Sequence, residues 1–252
     1  LMRIFGGERL ERMMKLLRLE EGEVIEHPWI SKSIESAQKR VENHNFDIRK
    51  TLLDYDMVMN EQRTVIYRLR RAILEGKGQE ERIFNAIEDV VLAIVGESCI
   101  GNSPEKWELD HLAEDIRRLF GVEPDLHIDS GKTTPEEMQS KVYFQLEKAY
   151  RSKSERINQL FGDGGVKWAE VQRELYLQRL DKQWREHLSA MDHLREGIGL
   201  RGYGQKDPKY EYKKEGLALF EDLLYRISEE VVRLIFHVQV QTEEEVQAMH
   251  EK

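Results

Sequence analysis

The chain reads as an all-α protein: a long scaffold helix packed with a long helical hairpin, plus a small helical wing domain. Three observations predict it. Apolar residues recur at alternating spacings of three and four over long stretches, which is the period of one helix face. No stretch sustains the alternating polarity of a strand. The breaks between periodic stretches carry glycine, proline or a capping residue, the local chemistry that ends and restarts helices.

The first thirty residues hold one short amphipathic stretch (Leu10, Met13, Met14, Leu17), then Gly22 and His27-Pro28-Trp29. Proline disfavours helix in the residue before it, so this is a boundary. An apolar opening at Leu1 without an initiator methionine reads as the tail of a larger upstream domain. Beyond it, Ile34, Ala37, Val41, His44, Ile48, Leu52, Tyr55, Met59, Gln62, Ile66, Leu69 and Ile73 form one stripe with a single four-four step at Leu52. That predicts one helix of about 45 residues, roughly 65 Å long at the α-helical rise. The extra step turns the stripe slightly around the rod, so different partners can dock at different heights. Gly76 and Gly78 end it.

A region of different character follows. It holds a helix near Glu80 to Val95, a second opened by Ser103-Pro104-Glu105 and closed near Gly121, and a third opened by the capping box Thr134-Pro-Glu-Glu137 and running toward Leu160. These make a small helical wing, with a loop at 121–133. Gly162-Asp-Gly-Gly165 breaks the chain again. Then Leu177, Leu180, Trp184, Leu188, Met191 and Leu194 mark one hairpin arm, expected to end at Gly197, where positive φ is easy. From Leu217, the residues Phe220, Leu224, Ile227, Val231, Leu234 and Val238 mark the other. Asp207 and Pro208 read as its N-cap and first helical residue. Each arm spans about thirty residues, roughly 45 to 50 Å. Between them lies a Gly-rich, Tyr-bearing basic tip.

Composition limits the function. With 252 residues, 40% hydrophobic and 35% charged, the chain falls in the soluble, helix-rich class. No run of eighteen apolar residues and no signal-peptide layout occur, so a cytoplasmic protein is expected. A single cysteine, Cys99, excludes an internal disulfide and a thiolate-rich zinc site, and reads as a small core residue. The net charge of −9 argues against broad polyanion binding, which draws on clustered Lys and Arg. A local basic patch remains at the tip (Arg195, Arg201, Lys206, Lys209, Lys213, Lys214), interleaved with Tyr203, Tyr210 and Tyr212.

Short motifs fail on context. Gly197-Ile-Gly199-Leu-Arg-Gly202 fits the dinucleotide fingerprint, but a helix enters it where a strand is required. Gly131-Lys132-Thr133 resembles the end of a P-loop, yet Leu126 stands where its first glycine belongs. His187, Asp192 and His193 do not share a helix face, so they are surface or seam residues and not a metal set. Asp54 and Asp56 diverge by about 200° on their helix, unsuited to an acid and base pair.

Taken together, Ile25-Glu-His-Pro-Trp29, Asn45-Phe-Asp-Ile-Arg-Lys50, Leu53-Asp-Tyr-Asp56, Asn60-Glu-Gln-Arg63 with Ile66-Tyr67, Trp184-Arg-Glu-His-Leu188, Met191-Asp192 and Leu200-Arg-Gly-Tyr-Gly-Gln-Lys-Asp-Pro208 resemble the C-terminal third of the SecA family, the ATPase motors of bacterial preprotein translocation. Seven blocks in one order are more specific than any single one. The resemblance covers about 1–76 and 166–240, and is weak in motif between them.

It implies an order of domains: 1–28 the end of a second nucleotide-binding domain, 29–78 the long scaffold helix, 79–163 the wing, 164–242 the two-helix finger and 243–252 the start of a C-terminal linker. It also implies that Tyr203, with Leu200, Arg201, Gln205 and Lys206, contacts the polypeptide and the channel mouth at the finger tip. Arg49 and Trp184 are implied as positions where scaffold and finger meet each other or the motor core. Catalytic residues, metal ligands and cofactors are expected to be absent from this stretch, with ATP and Mg held elsewhere in the parent. The implied partners are the SecY channel complex, unfolded preproteins and the upstream nucleotide-binding domains, with an acidic phospholipid surface and a second copy as further ones. The implied location is the cytoplasm, peripheral to the inner face of the cytoplasmic membrane. Rival readings are a helical interaction scaffold without a transport role, a nucleic-acid binder acting through the tip, and a nucleotide-binding enzyme.

Overall fold

The computed structural model describes residues 28–101, 103–127, 133–161 and 167–239. Among these it contains six α-helices and no strand: α1 (Pro28–Leu74), α2 (Gln79–Ser98), α3 (Leu109–Phe120), α4 (Pro135–Phe161), α5 (Trp168–Gly197) and α6 (Pro208–His237). The chain divides into two units, residues 1–59 and 60–252. The segments before Pro28, the glycines at 162–165 and the residues after 239 lie outside the described set, as do Gly131 and Lys132.

In the first unit every described residue belongs to α1. Proline has no amide hydrogen to lose in a first turn, and Pro28 is the first residue of the helix. The predicted apolar stripe is open here: Ile34, Ile48 and Leu52 are exposed, as are Phe46, Leu53 and Met57.

In the second unit the same stripe is buried at Gln62, Ile66 and Ile73. α1 stops where Gly76 and Gly78 adopt φ of 67° and 57°, a left-handed conformation that costs little only without a Cβ. α2 buries a wide face (Ile83, Ala86, Ile87, Val90, Val91, Ile94 and Val95) because it packs against α4 and α6 at once.

α3 begins at Leu109, not at Pro104 as its sequence signal suggested. Ser103-Pro104-Glu105 opens only a 3₁₀ turn, after which Trp107 is extended. The reason is tertiary: the Trp107 ring is buried and its indole N–H donates to the Gly101 carbonyl at 3.0 Å, so the chain must swing it inward before a helix can start. The helix ends at Gly121, φ 61°, whose N–H donates to the Arg117 carbonyl at 2.9 Å. α4 opens with the predicted capping box. The Glu137 N–H donates to Thr134 Oγ1 at 3.2 Å, and the Thr134 N–H donates to the Glu137 carboxylate at 3.1 Å.

α5 and α6 form the hairpin and share the largest helix contact of the unit. Leu180, Trp184 and Met191 of the predicted α5 seam are buried, and so are Phe220, Ile227 and Val231 of α6. Leu217 is exposed, whereas Leu223, Val232 and Ile235, absent from the predicted seam, are buried. α6 packs against α2 and α3 as well as α5, so its buried face is wider than a single seam.

Candidate functional site

The hairpin end is built by local chemistry. α5 ends at Gly197, where it was expected to, but the φ of −84° there is right-handed and positive φ is not used. The chain tightens instead into a 3₁₀ segment, Ile198–Gly204, with the Ile198 side chain turned inward and buried. The reversal falls on Gln205, φ 58°, the one non-glycine residue with positive φ among the described residues. Its N–H donates to the Gly202 carbonyl at 3.1 Å and the next N–H, of Lys206, donates to the Arg201 carbonyl at 3.4 Å. This pair of bonds is the Schellman pattern that closes a helix end. Asp207 then accepts from the Lys209 N–H at 3.0 Å and Pro208 follows as first helical residue, as the sequence predicted.

The five predicted tip residues come together on this turn but not in one role. Arg201 is clamped to Glu215 of α6 through Nε and Nη2, at 3.1 and 3.3 Å. Lys206 pairs with Glu211 at 3.6 Å. These carboxylates neutralise part of the basic patch and fix the turn to α6. Gln205 supplies the bend. The most exposed of the five are aromatic and apolar, Tyr203 at 90% and Leu200 at 69%, beside the paired but still exposed Arg201 and Lys206. A Cβ added at Gly197, Gly199 or Gly204 would meet no atom within 4 Å, so the glycines leave the surface around Tyr203 open.

About ten residues below the tip, three helices meet through buried polar side chains. Gln62 of α1 donates from Nε2 to the Gly216 carbonyl of α6 at 2.9 Å, and its Oε1 lies 2.8 Å from His187 Nε2 of α5. A carbonyl only accepts, which orients the Gln62 amide and requires His187 Nε2 to carry the proton. His187 Nδ1 is then a bare acceptor with no partner. The ring is 0% exposed, stacked at 5.5 Å on Trp184 and 5.8 Å from Phe220. Burial, reinforced by Arg226 and opposed by Asp222, lowers the histidine below its ordinary value, so it is held neutral. Six residues further from the tip along α5, Arg70 of α1 holds Asp181 bidentately at 2.9 and 3.1 Å.

Of the two predicted coupling residues, Trp184 sits in this junction. Arg49 belongs to the first unit, where it is exposed on α1. Sequence had placed Gln62 on the apolar stripe of α1 and His187 at the surface or seam. The signal for the junction was a polar residue at a stripe position in each of two helices. Asp192 and His193 are exposed, and among the described residues no group of three or more His, Cys, Asp or Glu is arranged to hold a metal. No helix of the described residues is long and apolar enough to cross a membrane.

A helix fastened by buried polar contacts along a long two-helix hairpin, whose tip shows an exposed aromatic, defines a helical scaffold that carries a finger. The model of the SecA wing and scaffold domain matches residues 24–239, and the chain belongs to that family. Curated relatives include the protein translocase subunit SecA of Anaeromyxobacter sp. (strain Fw109-5), 43% identical over 281 residues, and that of Syntrophobacter fumaroxidans, 42% identical over 254. The SecA subunit of Pelobacter propionicus is 44% identical over 254 residues. Each alignment covers 100% of this chain, but the chain spans only 28 to 30% of the relatives' length.

Proposed function

We propose that this chain is the wing and scaffold portion of a SecA motor, non-catalytic by itself, which couples ATP-driven conformational change to movement of unfolded preproteins through the SecY channel across the cytoplasmic membrane. In this reading ATP and Mg are held by the nucleotide-binding domains upstream, the protein works at the inner face of the membrane, and acidic phospholipid or a second copy are further partners. The domains follow the order 1–28, 29–78, 79–163, 164–242 and 243–252, from nucleotide-binding domain to linker.

The observation that carries the reading is Tyr203, 90% exposed at the end of a hairpin that α1 fastens about ten residues below the tip. An aromatic ring grips varied side chains and backbone without sequence-specific pairing, which a motor for many substrates needs. Thirty-residue arms of α-helix hold it about 45 Å from their far ends, and packing along both arms gives the stiffness that leverage requires. The open stripe of Ile34, Ile48 and Leu52 fits a surface that an upstream domain covers. Arg49, exposed on the same unit, is assigned to that contact.

The test compares Tyr203 with Tyr203→Ala in the motor carrying this chain, at matched folding, for preprotein transport and for ATP hydrolysis. Lost transport with retained hydrolysis is the expected result. Unchanged transport reduces the hairpin to a brace and leaves a helical interaction scaffold without a transport role.

A further inference from the structure

Lys153 and Arg156 stand three residues apart on α4, a spacing that puts both side chains on one face. That face borders a cavity of about 500 Å³ between α4, Gly121 at the end of α3 and the last turn of α6. Ile157 and Phe236 form its apolar wall, and none of the lining residues carries a carboxylate. Lys153 Nζ donates to the Phe236 carbonyl at 2.5 Å, which caps the end of α6 and uses one of its three N–H groups. His237 spends Nδ1 on the Arg233 carbonyl at 2.8 Å, leaving Nε2 beside Gly121 as its remaining polar atom.

Lys153 is half-buried in the cavity and loses water, while Arg156 stands exposed at its rim and repels it. Burial, with a smaller push from Arg156, lowers the Lys153 amine to about 8. A structural cap for α6 accounts for Lys153, and Arg156 stands at the rim of the same cavity with its guanidinium in solvent. We propose that this cavity binds a small oxyanion of the phosphate class, bridged between the ammonium of Lys153 and the guanidinium of Arg156. Such a group accepts from both cations at once and offsets their charge, which strengthens both bonds over those to a neutral acceptor, whereas a metal ion is repelled. The negative end of the α6 dipole opposes an anion, but Lys153 lies between those carbonyls and the Arg156 side of the cavity. Binding there ties the wing helix α4 to the end of α6, so the ligand acts as a fastener between wing and scaffold. The same chemistry is offered by free phosphate and by a phospholipid headgroup.

The test uses the full 252-residue chain, its folding checked by circular dichroism. Inorganic phosphate is titrated while amine acylation is followed lysine by lysine by mass spectrometry, and flotation with phosphatidylglycerol or phosphatidylcholine vesicles is measured in parallel. Phosphate that protects Lys153 selectively, with affinity falling about ten- to a hundredfold in Arg156→Gln, assigns the site to a free oxyanion. Flotation with phosphatidylglycerol that is lost in Arg156→Gln, without protection by phosphate, assigns it to a headgroup. Lys153→Arg keeps the cap and the charge, and its phosphate binding, read by calorimetry because no amine is left at 153, is expected to stay within a few-fold. Equal protection and equal flotation in the parent chain and in Arg156→Gln overturn the proposal.

Discussion

Replacing Gln62 by leucine tests the junction most directly. Gln62 is 6% exposed and makes two buried hydrogen bonds, to the Gly216 carbonyl and from His187 Nε2. Leucine has similar volume and removes both. The Gly216 carbonyl, inside α6, retains its helical partner. The His187 N–H, 0% exposed, is left with none. An unpaired buried donor costs about 1 to 3 kcal/mol, so Gln62→Leu is expected to destabilise by about 2 to 3 kcal/mol once the lost amide bond is added. His187→Phe keeps the ring between Trp184 and Phe220 and removes Nδ1, an acceptor that has no partner already. It is expected to cost less. In the double variant no polar group is stranded, because an apolar pair replaces a polar one, and such exchanges are nearly neutral. The double variant is therefore expected to be more stable than Gln62→Leu alone, with a coupling of about 1 to 2 kcal/mol. Urea unfolding of the four proteins at pH 7.5 measures it. Additive single effects would refute the hydrogen-bonded relay and leave Gln62 and His187 as independent packing residues.

Three further outcomes are expected. His187 is lowered by burial, so the unfolded chain binds its proton first. The stability it lends is complete above the ordinary histidine value of about 6.5 and is lost as pH falls toward the lowered native one. Unfolding midpoints should drop through that window in the parent and drop less in His187→Phe, and equal slopes would contradict a buried neutral ring. Gln205→Gly relieves a left-handed residue at the tip and should raise stability by about 0.5 to 1 kcal/mol, read as a shift in denaturation midpoint; a loss would mean that φ 58° carries no strain. The Cys99 thiol is buried and pushed up to about 11, so its modification by a disulfide reagent at pH 8 should be on the order of a hundredfold slower folded than unfolded. Comparable rates would place the thiol at the surface.

What sequence revealed and what it hid divide along a physical line. The capping box at Thr134, the Asp207-Pro208 start of α6, the glycine stop after α1 and the three-four seams are local, set by residues within a turn or two of one another. The cap, the helix start and the glycine stop appear where they were expected, and the seams are buried only in part, with Ile34, Ile48, Leu52 and Leu217 exposed. The misplaced start of α3 depends on Trp107 finding a pocket, and the second buried face of α6 depends on α2 and α3 lying against it. The link between Gln62 and His187 spans 125 residues, and no local pattern encodes a contact at that separation. The tip shows both sides of the line. Its place in the chain was legible, but the neutralisation of Arg201 by Glu215 follows from the hairpin's register, which only the packed helices determine.

This division separates the work of the fold from the work of the tip. At the Gln62–His187 junction, removing one side chain strands another in the interior, so a substitution there changes stability and any functional effect is mixed with unfolding. At the tip the turn is closed by backbone bonds, by the Asp207 cap and by two ion pairs to α6, none of which uses the Tyr203 ring. A residue 90% exposed contributes little to folding, so Tyr203→Ala should remain within about 0.5 kcal/mol of the parent. A loss of activity in that variant can then be assigned to what the ring touches outside the chain. Arg201→Ala lacks this property, because it leaves Glu215 unpaired at the turn as well as altering the surface. The aromatic is thus the position at which contact and scaffold can be told apart.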